Sequence, residues 1–239
     1  MTMKIGILIC DDVNPKLEPD HGSYKDMFTR LLHAVDETLE LRFYWVNHSE
    51  FPDDVSECDA YITSGSKSGV MDSDQWIQEL ENLVRQIHQN HIPFIGICFG
   101  HQLLAKALGG QVDRADVGWG VGTAIAKIVA PYPWMLPYQD TVNLLVSHQD
   151  QVISMPDDGQ VVAGNDFCPV SIMVVGKSSL GIQAHPEFCA PYSKALIEVR
   201  KDAIPKPVQD KGLASLKLPT DGLLVTQWML NFIKYARPK

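Results

Sequence analysis

The sequence predicts an α/β domain built around a mainly parallel sheet, with antiparallel strands added to it. Short apolar runs alternate with amphipathic segments in the first half of the chain, and this alternation implies right-handed crossovers between parallel strands. Strand-like segments follow one another without helices in the second half, which is typical of antiparallel hairpins. The chain has 239 residues, of which 45% are apolar, so it is long enough to bury a sizeable core. We expect one domain over residues 1–239.

The elements of the first half follow from the period of their apolar residues. Two amphipathic helices repeat apolar residues every three or four positions, one after Ser23 and one after Asp72 and Asp74, which we expect to cap it. Apolar runs of strand length surround these helices. The predicted strands are residues 5–10, 41–46, 60–63 and 93–98.

In the second half, strand-like segments are followed by two closing helices, predicted around residues 192–201 and 223–235. Pro205, Pro207 and Pro219 stand among polar residues between these helices and predict a surface excursion. The predicted strands are residues 121–130, 143–147, 160–164, 171–175 and 180–184.

Charge and cysteine content exclude several classes of protein. The chain has 20 Lys+Arg against 29 Asp+Glu, a net charge of −9, which argues against nucleic acid and anionic membranes as partners. It has no apolar run of transmembrane length and begins on a strand-like segment. Five widely spaced cysteines without a C-x-x-C pair predict reduced thiols and a cytoplasmic location, and we expect four of them to be mostly buried apolar residues. Without zinc-like spacing, a G-x-G-x-x-G motif or a P-loop, we expect neither metal nor cofactor.

Cys98 stands at a junction between a predicted strand and a predicted helix. Gly96 and Gly100 flank it in a G-x-C-x-G pattern, which would let a sharp turn present the thiol clear of its neighbours. The dipole of the following helix favours the thiolate form. The alternative is a buried cysteine followed by a helix that ends at glycines.

A candidate base follows the predicted strand at residues 180–184. Pro186 favours extended geometry at His185, so His185 and Glu187 project to the same side, and the carboxylate could accept the imidazole N–H. Taken alone, the tripeptide at residues 185–187 is a weak signal, because a turn at the end of a strand has the same pattern. Together with the pattern around Cys98, it predicts a nucleophile, a base and an orienting group.

The segments GICFGHQLLAKALGG and QAHPEF resemble the triad-type class I glutamine amidotransferases. The resemblance covers nearly the whole chain and implies a flavodoxin-like three-layer sandwich. It also implies that Cys98 is the nucleophile, that His185 is the general base and acid, and that Glu187 orients His185. A resemblance to stand-alone members, including plant γ-glutamyl peptidases, is weaker.

Further site residues follow from the same resemblance. The segment at residues 63–66 resembles the oxyanion loop of the family, which implies the N–H of Gly65 or Ser66 as one donor and that of Phe99 as the other. The segment at residues 147–150 resembles the S-H-x-D segment of the GMP synthase glutaminase domain. His148, which lies in this segment, is also an alternative to His185 as the catalytic base. The implied substrate-binding residues are Gln102, Ser147, His148 and Gln149.

Three functions stay open at this point. The first is hydrolysis of the glutamine γ-amide, with ammonia passed to a separate synthetase, because the chain carries no ATP-binding domain of its own. The second is a self-sufficient γ-glutamyl peptide hydrolase or transferase. The third is an inactive module that binds a ligand or a protein. The first two imply a small glutamyl substrate and a γ-glutamyl thioester on Cys98.

Overall fold

The computed structural model describes residues 2–237, and these form a nine-stranded sheet, a two-stranded sheet and seven α-helices. The strands are β1 (Lys4–Ile9), β2 (Glu40–Trp45), β3 (Ala60–Thr63), β4 (Phe94–Ile97), β5 (Gln111–Arg114), β6 (Gly120–Ile128), β7 (Thr141–His148), β8 (Asp150–Ser154), β9 (Gly159–Gly164), β10 (Ile172–Val175) and β11 (Ser179–Ile182). The helices are α1 (Glu18–His21), α2 (Tyr24–His33), α3 (Gln75–Gln89), α4 (Phe99–Ala107), α5 (Ala190–Val199), α6 (Lys206–Ser215) and α7 (Gly222–Ala236).

The large sheet has the strand order β2-β1-β3-β4-β11-β10-β9-β6-β7. The first five strands in this order are parallel to one another, and the remaining four run antiparallel to their neighbours. The predicted α/β class is therefore confirmed, with its parallel part in the flavodoxin-like order. In such sheets, ligands bind beyond the carboxyl ends of the parallel strands, where β4 and β11 end side by side.

Alternation along the strands produces two cores, one on each face of the sheet. Along β1, Ile5, Ile7 and Ile9 face a core shared with α2, α5 and α7, while Leu8 faces a core shared with α3 and α4. These two cores make the three layers of the sandwich. The expected start of α2 is also present, because Ser23 and Asp26 form a reciprocal capping box.

The prediction for the start of α3 is confirmed in position but not in its hydrogen bonding. Asp74 is the N-cap residue of the helix, but its side chain makes no capping hydrogen bond. The carboxylate of Asp72 instead accepts the Gly69 N–H at 2.8 Å, so it is used within the preceding loop. The helix depends on its apolar face, because Ile77 and Leu80 are fully buried.

The stretch predicted as a surface excursion contains α6, which packs on β6. Pro205 is the N-cap residue and Pro207 lies in the first turn, where the missing N–H has no intrahelical acceptor to lose. The prolines thus mark the start of a helix instead of excluding one. The hydroxyl of Ser215, at the end of α6, accepts the N–H of Thr123 in β6 at 2.8 Å.

The two-stranded sheet of β5 and β8 was not predicted either. Both strands are short and largely polar, with buried Val112 and Val152 facing α4 and its surroundings. Such a segment has too few apolar residues to show a clear period. Among residues 2–237, no helix is both long and apolar enough to span a membrane.

We expect Gly122→Ala to destabilise the protein more than Gly109→Ala. Both glycines have positive φ, +86° and +97°, so alanine strains the backbone at either position, by about 1–2 kcal/mol. At Gly122 a Cβ would also lie 2.3 Å from Ser215 Oγ and 2.5 Å from the Gly212 carbonyl oxygen, whereas no atom lies within 4 Å of a Cβ at Gly109. This crowding raises the expected loss for Gly122→Ala to about 2–4 kcal/mol. Urea unfolding measures both values, and equal losses would contradict the packing of α6 on β6.

Candidate active site

The candidate nucleophile Cys98 joins β4 to α4 in a strained backbone conformation. Its φ of 49° and ψ of −98° are unusual for a residue with a side chain, and such strain costs about 1–3 kcal/mol. Two backbone hydrogen bonds hold the turn: the Cys98 N–H donates to the Ile182 carbonyl at 2.8 Å, and its carbonyl accepts the Gln102 N–H at 3.1 Å. The turn is therefore fixed to the neighbouring strand β11 and to its own helix.

The two glycines beside Cys98 allow the close packing of this turn. A Cβ on Gly96 would lie 2.3 Å from the Gly100 carbonyl oxygen, and a Cβ on Gly100 would lie 1.6 Å from Thr63 Oγ1. The Thr63 hydroxyl in turn accepts the Ile97 N–H at 3.2 Å. The G-x-C-x-G pattern thus has a steric reason in this fold.

The thiol is less exposed than the sequence suggested. We expected it to stand clear of its neighbours, but Cys98 is only 5% exposed and is one of the residues that line a cavity. Cys10, Cys58 and Cys168 are buried as expected, whereas Cys189 is exposed at the start of α5, which corrects the expectation for this fourth thiol.

His185 and Glu187 form a buried pair beyond the end of β11. Glu187 Oε1 lies 2.7 Å from His185 Nδ1, and the two side chains are 4% and 0% exposed. The His185 N–H donates to the Leu145 carbonyl at 2.8 Å, and the imidazole stacks on Phe188 with 3.9 Å between ring centroids. The ring is therefore held by its backbone, by the carboxylate and by an aromatic face.

The backbone of Gly65 lies against both the cysteine and the histidine. A Cβ on Gly65 would be 2.6 Å from His185 Cε1 and 3.5 Å from Cys98 Cβ. The structure thus brings Cys98, His185 and the loop after β3 into one place, at the carboxyl ends of the parallel strands. The position tolerates no side chain without displacing the imidazole.

The two histidines near the thiol differ in their electrostatic environment. Burial disfavours the charged form of His185, but the Glu187 carboxylate and the charge and hydrogen bonding of Cys98 outweigh it and raise the pKa of His185 to about 10. Burial lowers the pKa of His148 to about 4, and its Nδ1 lies 3.2 Å from a backbone carbonyl oxygen, that of Asp150. His185 is therefore the histidine that carries a proton at neutral pH.

The predicted oxyanion donors lie around the thiol. Phe99 is the first residue of α4, so its N–H has no acceptor within the helix. The backbone of Gly65 lies next to the Cys98 and His185 side chains, and Ser66 lines the same cavity as Cys98. That these N–H groups bind an oxyanion stays a prediction.

The predicted substrate residues surround the cavity above Cys98, which has a volume of about 620 Å³ and is lined in part by Gln102, Ser147, His148 and Gln149. The side-chain amide of Gln102 donates to the Asp150 carbonyl at 2.8 Å and to Gln183 Oε1 at 3.2 Å. Gln102 thus connects α4 with two neighbouring segments, at Asp150 and at Gln183. A direct contact from Gln102 to substrate stays a prediction.

Two residues at the site were not found from the sequence. Gln183 donates its side-chain amide to Cys98 Sγ at 3.5 Å, and Arg200 lines the cavity and donates to Ser147 Oγ at 2.8 Å. The position of Gln183 two residues before His185 was a usable signal, because alternate residues of an extended segment share a face. Arg200 follows α5, and no local pattern connects that helix with Ser147.

Comparison with known proteins gives a consistent result. The family model "Glutamine amidotransferase class-I" matches residues 19–198. Gamma-glutamyl peptidase 5 of Arabidopsis thaliana is 31% identical over 177 residues, 70% of this chain and 69% of that protein. The glutamine-hydrolysing GMP synthase subunit of Methanothermobacter thermautotrophicus is 29% identical over 169 residues, 70% of this chain and 85% of that protein.

The fold is also similar to that of a solved glutamine amidotransferase structure. A glutamine amidotransferase from Thermotoga maritima superposes with a TM-score of 0.74 at 21% identity, covering 98% of this chain and 97% of that one. This likeness concerns the fold and adds nothing about substrate.

We expect Glu187→Gln to lower the pKa of His185 from its raised value near 10, because burial is then opposed only by Cys98 and no longer by the carboxylate. Nitrogen chemical shifts of the imidazole measure this pKa directly.

The same carboxylate gives the stability of the protein a pH dependence. Because the folded-state pKa of His185 is raised, the stability that its protonation contributes is complete below about pH 6.5 and is lost as the pH rises through about 10. The difference in free energy of unfolding between wild type and variant should therefore shrink over that interval.

Glu198→Gln is the matched control, because Glu198 is an exposed carboxylate on α5 that pairs only with Lys194 at 3.8 Å among the residues that the structure describes. It should leave the titration of His185 unchanged. An imidazole that titrates identically in wild type and Glu187→Gln would contradict the role of this carboxylate.

Proposed function

Because the chain belongs to the glutamine amidotransferase class-I family, we propose that it hydrolyses the γ-amide bond of a glutamyl substrate through a covalent intermediate on Cys98. The single observation that carries the proposal is the meeting of a cysteine in a strained turn with a buried histidine–carboxylate pair. A packed core can form without a strained cysteine next to a buried histidine–carboxylate pair. Backbone strain is retained most often at functional sites. The inactive module is therefore the least supported of the three functions.

The first half of the reaction forms a thioester. The Cys98 thiolate attacks the γ-carbonyl carbon of the substrate, and the carbonyl oxygen becomes an oxyanion bound by the N–H groups of Phe99 and of Gly65 or Ser66. The protonated His185 then gives its proton to the departing nitrogen. The C–N bond breaks, ammonia or an amine leaves, and a γ-glutamyl thioester remains on Cys98.

The second half regenerates the enzyme. His185, now neutral, takes a proton from water, and the resulting hydroxide attacks the thioester carbonyl. The C–S bond breaks, glutamate leaves, and the thiolate again faces a protonated imidazole. Glu187 fixes the tautomer of His185 and stabilises its charged form in both halves, which its 2.7 Å contact with Nδ1 supports.

The second candidate, hydrolysis of γ-glutamyl peptides, is supported by the likeness to gamma-glutamyl peptidase 5. The likeness to the glutamine-hydrolysing GMP synthase protein instead supports a glutaminase that supplies ammonia to a separate synthetase. In both cases the substrate is a small glutamyl compound. The two differ in whether a larger leaving group is accepted without a partner.

We expect Cys98→Ala to lower kcat/KM by roughly 10³-fold or more with glutamine and with γ-glutamylglycine, because the nucleophile is lost. Release of glutamate from the purified protein measures the rate. Cys189→Ala is the control, because this exposed thiol lies outside the cavity and its loss should leave turnover unchanged. Undiminished turnover by Cys98→Ala would refute the proposal.

The same assay separates the two candidates. A glutaminase that depends on a partner should turn over glutamine weakly and γ-glutamylglycine hardly at all. A self-sufficient peptide hydrolase should have the higher kcat/KM with γ-glutamylglycine.

A further inference from the structure

Arg200 is a cation in the active-site cavity that pairs with no carboxylate of the described chain. Its Nη1 donates to the Ser147 hydroxyl at 2.8 Å, and its guanidinium carbon lies 5.9 Å from the centre of the Trp119 ring. Within residues 2–237, no Asp or Glu oxygen lies within 4.0 Å of the guanidinium nitrogens. A half-buried guanidinium presents several fixed donors that match a carboxylate, and the contacts here use one of them.

Arg200 stands between two cavities. The first is the cavity of about 620 Å³ above Cys98, and the second has a volume of about 660 Å³. Of the residues that the structure describes, only Lys67 and Arg200 line both of them. The second cavity has walls from residues 9–25 and from α5, including Tyr24 and Tyr192. A ligand that reached from Cys98 into the second cavity would therefore meet one or both of these cations.

The charges in the second cavity leave Arg200 available to an anion. Lys67 Nζ is 2.8 Å from Asp11 Oδ1, so these two charges neutralise each other. Asp12 Oδ2 lies 2.7 Å from His48 Nε2 and 3.1 Å from Asn47 Nδ2. The remaining charged groups of this cavity, Glu18 and Lys25, are exposed and opposite in sign.

The residues that line only one of the two cavities indicate which half of the substrate lies in which cavity. The implied substrate-binding residues line the first cavity and not the second, and this is where the glutamyl half is expected; they are Gln102, Ser147, His148 and Gln149. Arg200 contacts this set at Ser147 and also lines the second cavity. His185, which protonates the leaving nitrogen, stacks on Phe188, and the Phe188 and Tyr192 ring centroids are 4.6 Å apart. Tyr192 lines the second cavity, so we expect the leaving half of the substrate on that side.

We propose that Arg200 binds a carboxylate on the leaving half of the substrate, so that the site prefers γ-glutamyl amides of amino acids or peptides to glutamine. This proposal rests on the proposed function and narrows its substrate class. A carboxylate paired with a guanidinium forms charge-assisted hydrogen bonds, which are stronger than neutral ones. Glutamine has no leaving-half carboxylate and gains nothing from Arg200.

The test compares γ-glutamylglycine with γ-glutamylglycinamide, which differ only in the leaving-half carboxylate. Binding to the Cys98→Ala variant is measured by calorimetry, so that turnover does not interfere, and kcat/KM is measured with the cysteine intact. We expect both quantities to favour the acid, and Arg200→Gln to weaken binding of the acid roughly 10- to 100-fold while leaving the amide unchanged. Arg200→Lys should retain part of the preference, because it keeps the charge.

Lys201→Gln is the matched control. It removes the exposed cation next to Arg200 in the chain, which lines neither cavity, so the preference for the acid should persist. Equal weakening of acid, amide and glutamine by Arg200→Gln would overturn the proposal, since it would place Arg200 at the glutamyl half or in a structural role. Equal binding of acid and amide by the protein with Arg200 intact would overturn it as well.

The two proposals fail in different ways. If neither compound is hydrolysed but the acid still binds more tightly through Arg200, the proposed function is wrong and the carboxylate site stands. If both are hydrolysed at equal kcat/KM, and Arg200→Gln changes neither binding nor rate, the proposed function stands and the carboxylate site is wrong.

Discussion

The site depends on one backbone constraint, the positive φ of Cys98 between β4 and α4. The turn is stable only because the surrounding structure fixes it: β11 accepts the Cys98 N–H, α4 begins directly after it, and Gly96 and Gly100 let the backbone segments touch. The same arrangement brings the thiol to the ends of the parallel strands, where the loop after β3 and the segment after β11 also arrive. The strain at one residue therefore determines which other residues can reach the sulfur.

Electrostatics then give the cluster its chemical character. A buried imidazole is usually neutral, as His148 is, because burial disfavours its charge. His185 is equally buried but has Glu187 on one side and Cys98 on the other, so its protonated form is favoured. A thiol next to a protonated imidazole is suited to nucleophilic attack and to protonation of a leaving nitrogen, which are the two steps that amide cleavage requires.

Much of this could be predicted from the sequence, and the rest could not for identifiable reasons. The G-x-C-x-G turn depends on local sterics, and the segment at residues 185–187 depends on the two-residue period of an extended chain. Cys98, His185 and Glu187 could therefore be chosen from their neighbours alone. The helix α6 was missed because prolines of a first turn look like those of a loop. Arg200 was missed because its contacts with Ser147 and Trp119 join segments that are far apart in sequence, and only the packing of α5 beside β7 creates them. Arg200, the proposed carboxylate-binding residue, is thus positioned by tertiary contacts, whereas the proposed reacting residues carry a local signature.

Partitioning with hydroxylamine tests most directly whether a common γ-glutamyl thioester forms on Cys98. Hydroxylamine competes with water for a thioester and gives γ-glutamylhydroxamate. If glutamine and γ-glutamylglycine pass through the same intermediate, the ratio of hydroxamate to glutamate at a given hydroxylamine concentration must be the same for both. A ratio that changes with the leaving group, or glutamate release with no hydroxamate at any concentration, would contradict the account.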